Sequence, residues 1–265
     1  MKLVQSILTK NPCYTAGRKI TVKGLMLHSV GCPQPKASVF INSWNSPSYD
    51  NACVHGFIDG NDGTVYQTLP WNHRGWHCGS GSKGSGNNTH IGVEMCEPAC
   101  IKYTSGANFT CSDTATARTV AKRTYEAAVE LFAYLCKQYN LNPIADGVII
   151  SHREGHSRGI ASNHGDPEHL WNGLGMGYTM DGFRKAVKAA MDGSGVSEPE
   201  EGGWYRVRKS WADAKSQKGA FKVLANAKKC ADENPGYSVY DESGKAVYGG
   251  QGSGEGFSPY LVQVS

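Results

Sequence analysis

The stretch SHREGHSRGIASNHGDPEHLW, residues 151–171, contains four of the nine histidines of the chain together with several carboxylates. Imidazole nitrogens and carboxylate oxygens are ligands for zinc. His152 directly follows the apolar run GVIIS, and His28 lies near the end of the run GLMLHSV. Two histidines and a third donor such as Asp166 leave the fourth position of a tetrahedral zinc for water, whose pKa the metal lowers to about 7. Histidines scattered in a polar loop are the alternative interpretation.

Short apolar runs with the length of buried strands would position these donors. The predicted strands are 24–30, 54–59, 64–69, 90–95 and 147–151. The turn at 59–64, which contains Asn-Asp-Gly, predicts a hairpin. Apolar residues at three- and four-residue spacing predict helices over 113–139 and 180–191. Strands interleaved with helices indicate an α/β fold, in which His28 and His152 stand at the carboxyl ends of strands, where open sheets build sites.

Changes of composition divide the chain into segments. The stretch 195–202 is rich in Gly, Ser and Glu without apolar periodicity, which predicts a linker after a first domain at 1–194. Residues 203–249 predict a small β-α-β-β module with nine Lys/Arg and five Asp/Glu residues. A Gly-rich stretch followed by the run PYLVQVS, together 250–265, predicts a second linker and the first strand of a further module. An apolar edge strand is the alternative.

Composition and missing motifs argue against several classes of protein. The formal net charge of +4 is too small to indicate nucleic-acid binding, and no run of about 18 apolar residues predicts a membrane span. The first 14 residues lack the features of a signal peptide, so synthesis in a cytoplasm is expected. The odd number of cysteines then favours reduced thiols. Neither GxSxG nor HExxH occurs, which argues against serine hydrolases and zincin proteases.

Three motifs, LMLHSVG, GWHCGSGSKGSGNNTHIGVEM and SHREGHSRGIASNHGDPEHLW, occur in this order in the chain. Together they resemble the zinc-dependent N-acetylmuramoyl-L-alanine amidases of the phage-lysozyme and peptidoglycan-recognition-protein type. The resemblance covers about residues 20–190 and implies a central mixed sheet flanked by helices. The linker and the basic module resemble the C-terminal halves of clostridial-type endolysins and autolysins, which implies a small α+β module that binds the cell wall.

The resemblance implies a role for four residues. His28 matches the first zinc ligand of the family, and His152, in SHR, matches the second. Asp166, in HGDP, matches the third ligand, an Asp or Cys just ahead of a proline. Glu94, in IGVEM, matches the glutamate that activates the water as general base in some members of the family.

The chain departs from the family pattern two residues before the third ligand, where the family often has a lysine and this chain has His164. A hydrogen bond from His164 would stabilise the oxyanion of the tetrahedral intermediate. Alternatively, His164 is itself the third ligand, and Asp166 hydrogen-bonds to a ligand without binding the metal. His156 is the other candidate in this segment, and we expect it to be a partly solvated loop histidine.

Three further residues are expected to bind substrate. Trp76 and His77, in GWHCG, resemble a WHAG segment of the family that lines the substrate groove, and a Trp platform stacks well on sugars. A packed aromatic corner is the alternative for Trp76. His55 resembles a position in the groove wall near the metal.

The resemblance implies a phage endolysin or bacterial autolysin that uses Zn²⁺ to cleave the amide between N-acetylmuramic acid and L-alanine in the peptidoglycan of Gram-positive walls. It would be made in the host cytoplasm and act at the wall after release. A non-catalytic peptidoglycan-binding protein, a cytoplasmic amidohydrolase of muropeptide recycling and a stem-peptide endopeptidase are the alternatives. Neither nucleic acid nor insertion into a membrane is expected.

Overall fold

The structure is a computed structural model that describes residues 1–193, 204–221 and 224–249. The chain divides into two units, Met1–Val196 and Ser197–Ser265, and each is described by itself. The predicted linker at 195–202 and the predicted second linker and further module at 250–265 lie outside the described residues. No helix among the described residues is long and apolar enough to span a membrane.

The first unit is built on a mixed sheet. The strands of the main sheet are β1 Leu3–Gln5, β2 Gly24–Ser29, β3 Gly56–Ile58, β4 Val65–Gln67, β5 His90–Met95 and β8 Ile149–Ser151. Two further strands, β6 Ile101–Ser105 and β7 Asn108–Cys111, form a separate hairpin. The order in the main sheet is β1-β4-β3-β5-β2-β8, and only the β3–β4 pair is antiparallel. All six residues of β2 are buried, as expected for a central strand.

Six helices accompany this sheet. They are α1 Pro12–Thr15, α2 Ala37–Trp44, α3 Thr114–Gln138, α4 His152–Ser157, α5 Glu168–Gly173 and α6 Met180–Met191. The long helix α3 begins after Asp113, whose side chain accepts a hydrogen bond from the Thr116 backbone. Helix α6 begins after Thr179, whose side chain accepts one from the Gly182 backbone. The predicted bounds of both helices agree with these to within one residue.

The two faces of the sheet have different partners, because successive side chains of a strand alternate between faces. Leu25 and Leu27 of β2 belong to the main core with residues of α3 and α6. Met26 lies on the opposite face, in a smaller core with Cys78. His28 follows Met26 by two residues and therefore shares its face. The candidate site thus lies on the side of the sheet away from α3 and α6.

The segment after β8 is more regular than the sequence indicated, since part of the expected irregular loop forms α4. Ser151 caps α4 by accepting a hydrogen bond from the Glu154 backbone, and the Glu154 carboxylate accepts one from the Ser151 backbone. This reciprocal arrangement is a capping box. Arg184 of α6 holds Glu154 in place through an ion pair of 2.9 Å. The turn that carries His152 is therefore fixed from both sides.

The described residues of the second unit form a four-stranded antiparallel sheet and one α-helix. Its elements are β9 Tyr205–Arg208, β10 Gly219–Phe221, α7 Leu224–Asp232, β11 Ser238–Tyr240 and β12 Ala246–Tyr248, with strand order β10-β9-β11-β12. The sequence predicted β-α-β-β with a helix over 214–234, so β10 is an addition and the helix begins later, at Leu224. Gly219 weakens helix formation in this segment. The backbone N–H of Lys218 instead donates to the Val207 carbonyl, where the pairing of β9 with β10 begins.

Candidate metal centre

Three donor groups converge at the end of the central strand. His28 Nδ1 lies 3.1 Å from His152 Nδ1 and 3.2 Å from Asp166 Oδ2, and His152 Nδ1 lies 3.5 Å from Asp166 Oδ1. All three residues are buried, and the described residues contain no other His, Cys, Asp or Glu group of this kind. The structure therefore brings together the three residues that the sequence proposed as metal ligands.

Each donor reaches this point from a different element. His28 is the fifth residue of β2, and His152 is the first residue of α4, directly after the neighbouring strand β8. Asp166 precedes α5, where its carbonyl accepts a hydrogen bond from the Arg153 backbone and its Oδ2 accepts one from the Ser29 backbone. Backbone contacts thus bring the loop back to the two strand ends.

The donor set fits a tetrahedral metal ion. In such a site with metal–ligand distances of about 2.0–2.1 Å, two ligand atoms lie roughly 3.3 Å apart, close to the three separations in the protein. Burial and the neighbouring His28 lower the pKa of His152 to about 3, so its ring is neutral, as metal binding requires. Burial alone would raise the pKa of Asp166, but the hydrogen-bond contact with His28 holds it below its ordinary value.

The structure favours Asp166 over His164 as the third donor. His164 Nδ1 lies 3.0 Å from His152 Nε2, which is the ring nitrogen on the other side from the convergent Nδ1 atoms. Ser162 Oγ lies 3.2 Å from the same His152 Nε2, so this N–H group has two possible acceptors. His164 is exposed at the rim of the groove. His156 is also exposed, and its Nδ1 lies at hydrogen-bond distance from the Ala161 carbonyl oxygen.

Glu94 is the strand neighbour of His28. The two residues are register partners on the parallel strands β5 and β2, and their side chains share one face of the sheet. Glu94 Oε2 is buried and has no hydrogen-bond partner among the described residues. Burial raises the pKa of Glu94 to about 8; His28 opposes this shift, and the carboxylates of Asp166 and Glu97 add to it. A divalent ion at the neighbouring centre would lower this pKa, so that the free oxygen of Glu94 can accept a proton and return it.

The groove over this centre has a volume of about 740 Å³. Its lining includes Glu94, the donors His152 and Asp166, the hairpin tip at 106–107 and the segment 163–166. Trp76 is not part of this lining, although its side chain is 44% exposed and Arg74 lies 5.3 Å above its ring. A substrate-binding role for Trp76 therefore requires a substrate that extends beyond the groove.

The structure corrects the expectation that His55 lies in the groove wall. Its side chain is fully buried, Nδ1 accepts a hydrogen bond from the Gly92 backbone, and Nε2 donates to the His73 carbonyl. No ring nitrogen remains for substrate. His77 borders the groove but is also buried, and its two ring nitrogens contact His28 and the His90 carbonyl. The sequence predicted neither contact.

A second polar cluster, which borders the groove near Asp166, was also not predicted. The Tyr103 hydroxyl donates to Glu97 Oε2 at 2.7 Å and lies 2.6 Å from His169 Nε2. Glu97 is fully buried and accepts a further hydrogen bond from the Gly31 backbone. The hairpin that carries Tyr103 has a recognisable signal, since the short runs KYT and NFT flank the turn residue Gly106.

The sequence model of the N-acetylmuramoyl-L-alanine amidase family matches residues 17–169, more than half of the chain. The chain belongs to this amidase family. Two amidases of Bacillus subtilis strain 168 are similar over a short segment. CwlH is 50% identical over 38 residues, which are 14% of this chain and 15% of CwlH. XlyA is 55% identical over 38 residues, which are 14% of this chain and 12% of XlyA. The matched segment is therefore less than a fifth of either relative.

Two solved structures show that the amidase fold is shared. The Staphylococcus aureus hydrolase AmiA superimposes with a TM-score of 0.54 at 19% identity, over 74% of this chain and 87% of AmiA. The catalytic domain of PlyG superimposes with a TM-score of 0.51 at 17% identity, over 75% of this chain and 99% of that domain. The predicted mixed sheet with flanking helices is thereby confirmed for this chain.

Proposed function

We propose that the first unit is a zinc-dependent amidase that cleaves the bond between N-acetylmuramic acid and L-alanine in peptidoglycan. The observation that carries the proposal is the convergence of His28 Nδ1, His152 Nδ1 and the Asp166 carboxylate beside Glu94 in a chain of this family. Two imidazoles and one carboxylate suit zinc, and three protein ligands leave a coordination position open for catalysis.

His28, His152 and Asp166 would hold the ion, and zinc, when bound there, supplies a Lewis acid that polarises a carbonyl and makes water more acidic. The Nε2–H groups of both histidines have acceptors in the protein, which leaves their Nδ1 lone pairs for the ion. The ionised Asp166 adds one negative charge, so the site compensates half of the charge of a divalent ion.

Glu94 would transfer the proton of the hydrolytic water. Its partnerless Oε2 accepts a proton as the water oxygen bonds to the amide carbon. The same oxygen returns this proton to the amide nitrogen as the C–N bond breaks, so that the products are a lactyl carboxylate and the free amino group of L-alanine. His164, with Nδ1 against His152, would donate from Nε2–H to the carbonyl oxygen.

Product analysis tests this function. Gram-positive cell walls are digested with the full chain, and the soluble fragments are identified by mass spectrometry, with Glu94→Gln as the inactive control. We expect N-acetylmuramic acid with a free lactyl carboxyl group and stem peptides that begin with L-alanine. New termini inside the stem peptide would instead establish an endopeptidase. Wall binding without any released fragment, in zinc-supplemented wild type, would establish a binding protein.

We also propose that the module at 203–249 binds the anionic cell wall. The segment has nine Lys/Arg and five Asp/Glu residues, an excess of four positive charges. Its sheet carries a surface pocket of about 430 Å³ lined by Arg206, Arg208, Trp211 and Glu242. The two guanidinium groups lie 5.9 and 5.0 Å from the centre of the Trp211 ring. A cation beside an aromatic face suits an anionic saccharide polymer.

Sedimentation of the full chain with purified walls tests this second proposal. Arg208 is also bonded to Gln217 and to the Trp211 carbonyl, so Arg206→Gln changes the pocket with less effect on the fold. Lys245→Gln is the matched control, since it removes one exposed charge elsewhere in the module. We expect weaker binding and a smaller salt dependence for Arg206→Gln alone. Equal binding of the two variants would contradict a role for the pocket.

A further inference from the structure

A buried histidine lies directly behind one of the candidate metal ligands. His77 Nδ1 is 3.0 Å from His28 Nε2, and His77 Nε2 is 3.1 Å from the His90 carbonyl oxygen. The rings of His77 and His28 meet edge to face, with centroids 5.1 Å apart. His77 therefore connects the backbone of β5 to the ligand on β2 through its two ring nitrogens.

The His90 carbonyl oxygen lies at one end of this series of hydrogen bonds, and it determines where the protons of a neutral His77 and of His28 lie. A carbonyl oxygen only accepts, so His77 must carry its proton on Nε2. The Nδ1 of a neutral His77 then has a lone pair, and His28 must donate from Nε2–H. This leaves the His28 lone pair on Nδ1, which is the atom that faces His152 and Asp166.

Two features of the fold keep His77 in this position. Asn87 Oδ1 accepts a hydrogen bond of 2.7 Å from the His77 backbone. Gly92 leaves the space that the ring occupies, since a Cβ atom there would overlap it.

We infer that His77 is a positioning residue that fixes the Nε2–H tautomer of His28 and so presents His28 Nδ1 to the metal. The inference rests on the proposed metal centre. Without His77, His28 has no acceptor for its Nε2–H group in this buried position and the ring can adopt the tautomer that blocks Nδ1. Loss of such a partner costs about 10–100-fold in metal affinity.

Zinc affinity, measured by competition with a chromophoric chelator, tests the inference without reference to activity. His77→Leu removes the acceptor, and His77→Asn restores an oxygen at the position of Nδ1. His55→Asn is the matched control, because this buried histidine hydrogen-bonds only to backbone groups. We expect zinc affinity to fall about 10–100-fold in His77→Leu, to recover at least in part in His77→Asn, and to stay unchanged in His55→Asn.

A second readout uses the wild type and so does not depend on the folding of a variant. Long-range ¹H–¹⁵N spectra of the zinc-loaded protein report the tautomer of each histidine ring, and we expect His77 to be protonated on Nε2 alone. A proton on His77 Nδ1, or equal zinc affinity of His77→Leu and wild type, would overturn the inference and leave the metal centre intact. A wild type that binds no zinc would overturn the metal centre and the inference together.

Discussion

His28 and Glu94 face each other across two adjacent parallel strands. They are register partners on β2 and β5, and their side chains project from the face of the sheet opposite α3 and α6. Two adjacent central strands thus hold the imidazole of the proposed metal ligand and a carboxyl group at a fixed separation. Such rigidity is what a proton-transfer group beside a metal requires, because catalysis depends on the position of the groups before the reaction begins.

This relationship predicts that Glu94→Gln abolishes hydrolysis and retains the metal. Glutamine has nearly the same size as glutamate but cannot accept the proton of the water. We expect the turnover rate to fall about 10²–10⁴-fold, the usual contribution of a general acid–base group. Zinc content and the binding of substrate fragments should stay at the level of the wild type. Loss of zinc in this variant would show instead that Glu94 belongs to the ligand set.

Glu97 is expected to make stability depend on pH. Burial raises its pKa to about 7 although Tyr103 and the Gly31 backbone donate to it. Between the ordinary value of 4.5 and 7, folded Glu97 retains a proton that the unfolded chain loses, so the free energy of unfolding decreases as the pH rises through this window. Other groups that face Glu97 are His169 and Asp166.

Glu97→Gln isolates this contribution, because the titration of the other groups largely cancels in the difference between the two proteins. Denaturant unfolding at several pH values should show the wild type losing stability relative to Glu97→Gln between pH 4.5 and 7. The difference should be constant above this window. A difference that does not change with pH would contradict the buried state of this carboxyl group.

The close approach of Gly92 and His77 predicts a coupled pair of substitutions. Gly92→Ala adds a Cβ atom that overlaps the His77 ring, and overpacking of this kind costs about 1–3 kcal/mol. When His77 is replaced by alanine the ring is absent, so the same change at Gly92 should cost less. A double-mutant cycle of unfolding free energies measures this coupling. Strictly additive effects would show that the ring does not occupy the space beside Gly92.

Regular elements and strand-end donors could be predicted from the sequence. The strand 90–95 and the helix 180–191 agree with the structure because they combine apolar periodicity with clear ends. The pairing of His28 with His152 follows from parallel strands whose carboxyl ends meet at one edge of a sheet. Asp166 could be placed only by resemblance, since nothing local fixes how a loop returns to the sheet.

Other features depend on contacts that sequence patterns do not encode. Helix α4 has six residues and no apolar stripe, so only the Ser151–Glu154 capping box indicates it. His55 and His77 are polar and lie near groove motifs, yet both are buried because backbone groups and His28 satisfy their ring nitrogens. The space for His77 arises from Gly92 on strand β5, a relationship that appears only when the sheet is assembled.

Metal content tests the central claim most directly. Protein purified without chelator, from cells supplied with zinc, is analysed for bound metal as wild type, His152→Ala and His156→Ala. The last variant is the control, since His156 is an exposed histidine on the same helix. We expect about one zinc ion per chain in wild type and His156→Ala and none in His152→Ala. A wild type without zinc, or a His152→Ala variant that retains it, would contradict the proposed centre.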